Sequence, residues 1–466
     1  MVNIKFGTDG WRAIIAKEYT TDNVARVAIA TAKWLKKQSK EPQSVVVGYD
    51  CRFGGDMFAE VAVKMFCANG IKVYMADKIA TTPMVSLGTA KLEAQQGIVI
   101  TASHNPPNYN GYKLKAAYGG PTSPKDITAV EGMIPRTAKI PEQSLEHYEE
   151  EGLLEYVDLE KIYLKAVKKA FDLKKINKKV KIAYDAMYGA GMFVLPKILP
   201  KAKLLHCDYN PSFKGQAPEP LDRNLQELSK LIRKNKKLQA GLANDGDADR
   251  VGLYDEKGNF VDSHHIILLV IHYLVKYKGM DGKVVTAFSV TDRVKKMCQE
   301  YGLEQQTTKI GFKYICDIMA NEDVLLGGEE SGGIAVKGFI PERDGIWVGL
   351  IIFEFMAKTG KSLSKLVKEV YKVVGKFHFE RNDLHITNEL KTSIMEQCKN
   401  DEFTSFGKYK VDRIETVDGY KFFFNEYDWV MIRPSGTEPV LRVYAEASSK
   451  KEVKDILEET KKVLLS

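Results

Sequence analysis

The feature that most constrains this chain is a unit of secondary structure that occurs three times along its 466 residues. Each copy opens with an apolar strand that ends in a polar residue, at residues 44–50, 180–185 and 283–289. A helical stretch, a second strand and a third strand follow each time. Because strands that alternate with helices are typical of parallel sheets, the repeat predicts tandem α/β domains, and its length argues against a short-period solenoid.

A polar loop of different composition follows the third strand of each unit. The loops are Thr-Ala-Ser-His-Asn-Pro at 101–106, Asn-Asp-Gly-Asp-Ala-Asp-Arg at 244–250 and Gly-Gly-Glu-Glu-Ser-Gly-Gly at 327–333. In open α/β sheets, ligands bind outside the carboxyl ends of the strands. We therefore expect the three loops to face one cleft and to supply three different chemistries to it.

The pattern changes after about residue 370. A helix at 388–399, several strands and an amphipathic helix at 450–465 predict a small α+β domain with an antiparallel sheet. Its strands are expected near residues 410–415, 421–424, 429–432 and 441–446. The predicted domains are 1–150, 151–257, 258–371 and 372–466.

Composition and charge argue against several classes of protein. The six cysteines are scattered without a Cys-x-x-Cys spacing, which argues against a zinc site or a disulfide framework and favours reduced thiols in the cytoplasm. No apolar leader is visible, and the longest apolar stretches, such as 346–353, are too short to span a bilayer. The net charge is +8, but the densest basic run, at 168–181, has a single aromatic residue and is typical of a solvated linker rather than a nucleic-acid surface.

Three aspartates, Asp245, Asp247 and Asp249, occupy alternate positions of the second loop. In an extended segment alternate side chains point the same way, and three carboxylates on one side form a hard oxygen site suited to Mg²⁺. A calcium loop of the EF-hand type is an alternative, but Arg250 stands where that loop needs glycine and the flanks are strand-like, not helical. A solvated turn is the remaining interpretation; we expect the Mg²⁺ site.

Ser103 lies on a strand-to-loop turn, where it is a candidate nucleophile or phosphate carrier; a helix cap or turn serine is the simpler alternative. No Gly-x-Ser-x-Gly elbow is present, so a hydrolase triad is not expected. Neighbouring side chains on extended backbone diverge, so His104 is expected to be a poor base for Ser103 and rather a substrate contact. Lys113 could pair with phosphate or, with a lowered pKa, move a proton; it could also be a plain surface lysine.

Two further loops carry groups suited to a sugar phosphate. Glu329 and Ser331 offer an acceptor and a hydroxyl suited to sugar hydroxyl groups, although a structural turn would use the same residues. The run from Arg433 to Thr437 combines a guanidinium, two hydroxyls and the backbone N–H groups around a glycine, which suits an anion; a plain β-turn is the alternative.

Five motifs in order, at residues 6–12, 101–106, 245–250, 328–332 and 433–439, resemble those of the α-D-phosphohexomutases, the phosphoglucomutase/phosphomannomutase family. The resemblance extends over essentially the whole chain. It implies an α/β fold of three tandem α/β domains with mixed sheets plus a smaller C-terminal α+β domain, all around a central cleft. The fourth domain would be mobile.

The resemblance also implies roles for individual residues. Ser103 would carry a phosphoryl group and would bind Mg²⁺ together with Asp245, Asp247 and Asp249. The residues around the reacting phosphate and the metal loop would be Arg12, His104, Lys113 and Arg250. The sugar hydroxyls would contact Glu329 and Ser331, and Lys313 would face the substrate. The phosphate that does not react would be held by Arg433, Ser435, Gly436 and Thr437.

The activity that this resemblance implies is the interconversion of hexose 1-phosphate and hexose 6-phosphate. The phosphoserine enzyme would form a hexose 1,6-bisphosphate, which would also serve as activator. Gly333 stands where several relatives, phosphoglucosamine mutases among them, carry histidine, so glucose or mannose phosphates are expected. A phosphoglucosamine mutase and a non-catalytic sugar-phosphate-binding relative are the alternatives. We expect a cytoplasmic monomer or homodimer whose partner is a phosphosugar, without nucleic acid or membrane.

Overall fold

The computed structural model describes residues 2–434 and 440–465. These residues form four main sheets, each built from a consecutive part of the chain, and one small two-stranded sheet. The order along the chain is three α/β units followed by a mainly antiparallel unit, which confirms the predicted fold class.

The first sheet is mixed and has six strands in the order β1-β5-β4-β2-β3-β6. The strands are β1 (Trp11–Ile14), β2 (Ser44–Tyr49), β3 (Lys72–Ala76), β4 (Gln96–Ile100), β5 (Tyr109–Ala116) and β6 (Leu154–Val157). Its helices are α1 (Thr21–Gln38), α2 (Gly55–Cys67), α3 (Thr82–Lys91), α4 (Pro124–Glu131) and α5 (Leu145–Glu150). Three consecutive valines make β2 buried on both faces, as expected for a central strand between two layers of helices.

The second sheet has five strands in the order β11-β10-β9-β7-β8. They are β7 (Ile182–Asp185), β8 (Lys203–Leu205), β9 (Ala240–Asn244), β10 (Val251–Asp255) and β11 (Phe260–Val261). The helices before and within this part are α6 (Leu159–Ala170), α7 (Leu173–Lys179), α8 (Leu195–Ile198) and α9 (Gln226–Lys234). The basic run 168–181, expected to be a linker, is mostly helical: its lysines are exposed, but Phe171, Ile176 and Val180 are buried in the core.

The third sheet has four strands in the order β13-β12-β14-β15. They are β12 (Lys283–Ala287), β13 (Gln305–Thr308), β14 (Val324–Gly328) and β15 (Ile334–Val336). Its helices are α10 (Ser263–Lys278), α11 (Arg293–Tyr301), α12 (Phe312–Asn321), α13 (Gly345–Thr359) and α14 (Leu363–Val374). The apolar run 346–353 lies in α13 and is buried in the core, and none of the described helices is both long and apolar enough to cross a membrane.

The three units share one topology. In each, the first strand (β2, β7 or β12) lies between the second and third strands and pairs with both in parallel. The third strand (β4, β9 or β14) then pairs antiparallel with the strand that follows it. Each polar loop therefore joins a third strand to its antiparallel neighbour, at the carboxyl end of the parallel sheet. This confirms the predicted placement of the loops.

The fourth sheet is antiparallel and has the order β16-β22-β21-β20-β19, while β17 and β18 form a separate pair. The strands are β16 (His378–His385), β17 (Ser405–Phe406), β18 (Tyr409–Lys410), β19 (Arg413–Glu415), β20 (Tyr420–Phe423), β21 (Trp429–Pro434) and β22 (Val440–Ala447). Two helices, α15 (Asn388–Lys399) and α16 (Lys450–Leu465), share a hydrophobic core with this sheet. The domain limits at 150, 257 and 371 stay predictions. β6 follows the predicted limit at 150 but lies in the first sheet, and β11 follows the predicted limit at 257 but lies in the second sheet.

One continuous hydrophobic core contains residues of all three α/β units, and the first unit has a second large core of its own. An aromatic cluster joins the third unit to the fourth, and its buried members are Phe288, Phe423, Trp429, Met431 and Tyr444. Buried ion pairs reinforce this contact: Lys421 Nζ lies 2.9 Å from Asp292, and Arg293 Nε lies 3.3 Å from Glu446. The fourth unit is thus attached to the third.

Candidate active site

The serine loop, residues 101–106, is held by the buried guanidinium of Arg52. Arg52 donates hydrogen bonds of 2.7 to 2.9 Å to the carbonyl oxygens of Ser103, Asn105, Pro106 and Tyr109. Asp50, at the end of β2, lies 3.5 Å from Arg52 Nε and accepts from the Thr101 hydroxyl. Ser103 has a φ of +53°, a left-handed conformation that residues other than glycine seldom adopt. Such local strain persists only where the surroundings impose it, and it is concentrated at functional sites.

Ser103 meets the second unit directly. Its hydroxyl donates a hydrogen bond of 2.7 Å to Asp245 Oδ2, and both side chains are buried. Gly246 makes this approach possible, because a Cβ at that position would lie 2.5 Å from the Ser103 carbonyl oxygen. The serine loop and the aspartate loop are therefore in direct contact, while the cleft that they were expected to face stays a prediction.

His104 contradicts one sequence-based expectation. Its side chain does not diverge from that of Ser103: Nδ1 lies 3.3 Å from Ser103 Oγ. The reason is the left-handed backbone at Ser103, which replaces the extended conformation that the argument assumed. Burial, reinforced by the neighbouring cations Arg250 and Arg12, lowers the pKa of His104 well below its usual value, so the imidazole is neutral.

The metal loop, residues 245–250, brings its three acids together. One carboxylate oxygen from each of Asp245, Asp247 and Asp249 lies within 4.8 Å of the others, and all three residues are buried. The convergence does not come from strand alternation, as the sequence suggested. It comes from a turn between β9 and β10, in which Ala248 has a φ of +60°.

This donor set fits a hard divalent cation. Oδ1 of Asp247 and Oδ1 of Asp249 are buried and have no hydrogen-bond partner among the described residues. Buried carboxylate oxygens of this kind are costly unless a donor or a cation is bound. Three carboxylates in a small space suit the oxygen preference of Mg²⁺. Burial and the charges of Asp249 and Asp247 raise the pKa of Asp245 well above its usual range.

Lys113, on β5 of the first sheet, reaches across to the metal loop. Its ammonium lies 2.8 Å from Asp9, 2.8 Å from Asp247 and 3.0 Å from Asp249, and the side chain is fully buried. Burial alone would lower the pKa of Lys113, but the three carboxylates outweigh it and raise the pKa above its usual value. Lys113 is therefore held as a cation, and the alternatives of a lowered pKa and of a surface lysine are wrong.

Asp9 and Arg343 complete this buried ion cluster. Arg343, just before α13, makes ion pairs with Asp9 and, at 2.7 Å, with Asp249. Burial opposes the ionisation of Asp9, but Lys113, Lys115 and Arg343 hold its pKa well below the usual range. The cluster thus joins the first, second and third units through charges in a buried setting, where Coulomb interactions are strong.

The sugar loop, residues 327–333, lies against the metal loop. Arg250 and Gly333 form an antiparallel bridge, and the Val251 N–H donates to the Gly332 carbonyl oxygen at 3.1 Å. Glu329 accepts from the Gly311 N–H at 3.0 Å, and burial raises its pKa. The Ser331 hydroxyl is buried and has no partner among the described residues, so its hydrogen-bonding capacity is open to a ligand.

The predicted cationic residues occupy different positions around these loops. Arg12, on β1, donates to Asn105 Oδ1 of the serine loop at 2.7 Å. The Arg250 N–H donates to Asp245 Oδ1 at 3.0 Å, and its side chain extends towards Glu219. Lys313, at the start of α12, lies with its ammonium 5.5 Å from the ring centre of Tyr314. Its role towards substrate stays a prediction.

The fourth unit contacts the third unit at the site through Arg381 and Asp418. Arg433, near the end of β21, lies 3.3 Å from Asp418, which also accepts from the Ile310 N–H of the third unit. Arg381 of β16 lies 3.3 Å from Glu330 of the sugar loop. The predicted phosphate contacts Ser435, Gly436 and Thr437 lie outside the described residues.

Sequence reasoning did not identify several residues that shape the site. They are Asp9, Arg52, Thr82 and Arg343. Thr82, at the start of α3, donates from its hydroxyl to Asp247 and from its N–H to the Asp247 carbonyl oxygen at 3.0 Å. Of the four, only Asp9 lay within a motif, since it belongs to the Gly-rich run 6–12.

Comparison with known proteins agrees with this geometry. Four family profiles match the chain in order: the phosphoglucomutase/phosphomannomutase α/β/α domains I, II and III at residues 3–140, 161–258 and 262–374, and the C-terminal domain at 389–463. Together they cover most of the chain, and their order is that of the four sheets.

Curated relatives match over almost their full length. A phosphoglucomutase/phosphomannomutase of Thermococcus kodakarensis is 31% identical over 460 residues, which cover 97% of this chain and 96% of the relative. A Pyrococcus furiosus protein named a probable phosphoglucosamine mutase is 30% identical over 461 residues, with 98% and 96% covered.

Solved structures share the fold. A Thermus thermophilus protein described as a phosphomannomutase has a TM-score of 0.88 and 31% identity, and each chain is covered completely. The Aspergillus fumigatus N-acetylphosphoglucosamine mutase, solved in complex with GlcNAc-6P and magnesium, has a TM-score of 0.59 and 16% identity, with 98% of this chain and 95% of that chain covered. At that identity the second likeness concerns the fold alone.

Proposed function

Because this chain belongs to the phosphoglucomutase/phosphomannomutase family and is a phosphohexomutase, we propose that Ser103 is its phosphoryl carrier and that its substrates are the 1- and 6-phosphates of glucose or mannose. The phosphoserine would donate its phosphoryl group to one hydroxyl of the hexose phosphate. The resulting hexose 1,6-bisphosphate would turn within the cleft and return its other phosphoryl group to Ser103. The same bisphosphate, supplied from outside, would act as activator.

The observation that carries this proposal is the contact between Ser103 and Asp245. A hydroxyl of the first unit lies against the acids of the second, inside a buried cluster of cations and carboxylates. A phosphoryl carrier needs this combination, because a phosphoserine carries about −1.5 to −2 charges. A turn serine without such a role would not need a left-handed backbone beside a triad of acids.

The acids fit Mg²⁺, and Asp245, Asp247 and Asp249 would hold it, together with an oxygen on Ser103. A bound Mg²⁺ would supply Lewis-acid polarisation of the phosphoryl oxygens. The residues of the chain supply the remainder. Lys113, which contacts Asp247 and Asp249, would offset negative charge at the metal loop, and His104, whose Nδ1 lies 3.3 Å from Ser103 Oγ, would form a hydrogen bond to the phosphoryl group.

Each transfer breaks the bond between phosphorus and one oxygen and forms a bond to another, so the chain contributes mainly positioning and charge stabilisation. Arg52 holds the backbone of the serine loop and thereby fixes the position of the Ser103 hydroxyl. Glu329 and Ser331, whose hydroxyl has no partner among the described residues, would bind sugar hydroxyls. Arg433 would hold the phosphate that does not react, so that either phosphate can be presented to Ser103.

The preference for glucose or mannose rests on Gly333, at a position where several relatives carry histidine. Phosphoglucosamine mutase is the second candidate, because relatives of similar identity carry that name. We also propose a cytoplasmic location, since all six cysteines are free.

Two measurements test this function. Peptide mapping by mass spectrometry should find phosphate on Ser103, and Ser103→Ala should lose both the phosphate and turnover. Ser123→Ala is the matched control, because Ser123 only caps α4. Phosphate on another serine together with an active Ser103→Ala variant would refute the proposed carrier.

The second measurement is kcat/KM for the 1-phosphates of glucose, mannose and glucosamine, each with a trace of the matching 1,6-bisphosphate. Glucose or mannose phosphate should be preferred. A higher value for glucosamine phosphate would favour the second candidate.

A further inference from the structure

Arg343 lies where the metal loop, the sugar loop and Asp9 of the first unit meet, and no motif pointed to it. Its side chain is buried, and its guanidinium pairs with Asp9 from the first unit and with Asp249 of the metal loop. Both of these pairs involve Nη2; Nη1 of the same guanidinium lies 3.6 Å from Glu329 of the sugar loop. A planar guanidinium can bind several carboxylates at fixed angles, which a lysine cannot do.

Gly333 provides the space that this side chain occupies. A Cβ at 333 would overlap Arg343 Cδ and would lie 3.1 Å from Cγ. These atoms are in the middle of the side chain, so the guanidinium could not keep its position if they moved. Gly333 is not among the glycines with positive φ, so its backbone does not require glycine. The requirement is one of space.

We propose that Gly333 and Arg343 act as a pair, in which the missing side chain at 333 admits Arg343 and Arg343 then positions the metal loop against the sugar loop for phosphoryl transfer. Without the guanidinium, Asp9 and Asp249 would keep Lys113 as a partner, but Glu329 would lose the one ion pair that it makes among the described residues. Uncompensated buried acids repel one another, so the two loops would separate. Arg343 is a positioning residue, and this inference rests on the proposed function.

The experiment is a double-mutant cycle with Gly333→Ala, Arg343→Ala and the combined variant, in the full-length protein. We expect Arg343→Ala to lower kcat/KM roughly a hundredfold, as for other buried charge partners. Gly333→Ala should lower it at least about tenfold, because it displaces the arginine. In the combined variant the alanine at 333 has nothing to displace, so its kcat/KM should equal that of Arg343→Ala within about threefold.

Gly132→Ala is the matched control. Gly132 also lacks a positive φ, and a Cβ there would meet only backbone oxygens at 3.6 and 3.7 Å. This variant should behave like the wild type. Added guanidinium chloride at low concentration should restore part of the activity of Arg343→Ala, whereas tetramethylammonium chloride should not. A purely structural role would not give such a rescue.

Wild-type-like activity of Gly333→Ala, or losses that multiply in the combined variant, would overturn the pairing. If Arg343→Ala does not fold, Arg343→Ser replaces it, because the hydroxyl gives the buried acids a donor. Wild-type turnover of hexose phosphates tests the proposed function separately. The thermal unfolding midpoints of the same variants test the pairing without substrate. If the shifts of the two single variants add up in the combined variant, the pairing is also contradicted.

Discussion

The hydroxyl of Ser103 donates a hydrogen bond to Asp245, 142 residues farther along the chain. The two side chains lie in loops that follow strands of different sheets, so their contact is a property of how the first two units pack. Gly246 allows the approach and Arg52 fixes the loop that makes it. The chemistry that we propose therefore depends on the interface between units as much as on either loop.

Asp247→Asn should weaken Mg²⁺ binding at least about tenfold and abolish turnover, because the site loses a charged oxygen ligand. In the wild type, Oδ2 of Asp247 contacts Thr82 and Lys113, and Oδ1 has no partner among the described residues. An asparagine keeps the shape but not the charge. Titration calorimetry with Mg²⁺ and a mutase assay would measure both effects. Asp281→Asn is the control, since that side chain is 90% exposed; equal metal affinity in the two variants would refute a role of Asp247 in binding.

Arg52→Met should remove turnover and lower the free energy of unfolding by about 3 kcal/mol, because it leaves Asp50 buried without its ion-pair partner and several carbonyl oxygens without their donor. Methionine keeps most of the volume, so lost hydrogen bonds rather than a cavity would cause the effect. Arg26→Met is a suitable control: Arg26 is also buried and also donates to carbonyl oxygens, but those of Val2 and Pro135 rather than those of the serine loop. It should lower stability without a specific loss of kcat in the folded protein. Normal turnover of folded Arg52→Met would show that the serine loop holds its conformation without the arginine.

The fold followed closely from the sequence where local pattern decides it. The strand–helix repeat predicted parallel units, a helical stretch at 388–399 predicted α15, and the amphipathic pattern at 450–465 predicted α16. β16 was missed, because it is a partly exposed edge strand with charged residues on it and has no clear alternation. Its place beside β22 is set by pairing with a strand more than fifty residues away, which local pattern does not reveal.

The site was predictable in its residue types and less so in its geometry. Motifs identified Ser103 and the three aspartates, but strand alternation was the wrong reason for the convergence of the acids. Left-handed residues at Ser103 and Ala248 turn the chain, and neither position is a glycine that would signal it. Arg52 and Arg343 were missed because each acts through contacts with other parts of the chain, and such contacts leave no spacing pattern.

Arg433→Ala should raise KM for every hexose phosphate substrate and lower kcat less, because the charge-assisted hydrogen bonds to the phosphate that does not react would be lost. A tenfold or larger rise is expected from the usual strength of such bonds. Steady-state kinetics with both 1- and 6-phosphates would measure it. Arg413→Ala is the control, because Arg413 belongs to the same sheet but is exposed and lies over the ring of Phe423. An unchanged KM in Arg433→Ala would exclude the residue from the phosphate site.

The contact between the third and fourth units should become less stable as pH rises, because Glu446 is buried in it. Its carboxyl group is buried between the third and fourth units, Oε1 lies 3.3 Å from Arg293 Nε, and Oε2 has no hydrogen-bond partner among the described residues. Burial, reinforced by Asp292, raises the pKa of Glu446 from 4.5 to about 8, although Arg293 and Lys421 oppose the shift. Between these two pH values the folded protein holds a proton that the unfolded chain has lost. Stability therefore falls as pH rises through this window, by about 1.4 kcal/mol for each unit of pKa difference.

Glu446→Gln should remove this dependence, since the amide stays neutral and keeps the shape of the protonated acid. At pH 4.5 the variant and the wild type should unfold at similar urea concentrations, and at pH 8 the variant should be the more stable of the two. The fluorescence of Trp429, buried in the aromatic cluster at the same interface, can report the transition. Glu426→Gln, on an exposed turn of the same unit, is the control and should keep the wild-type pH dependence. If the stability difference between Glu446→Gln and the wild type stays constant from pH 4.5 to 8, the buried carboxyl group is not protonated in this interface, and Arg293 and Lys421 must stabilise its charge.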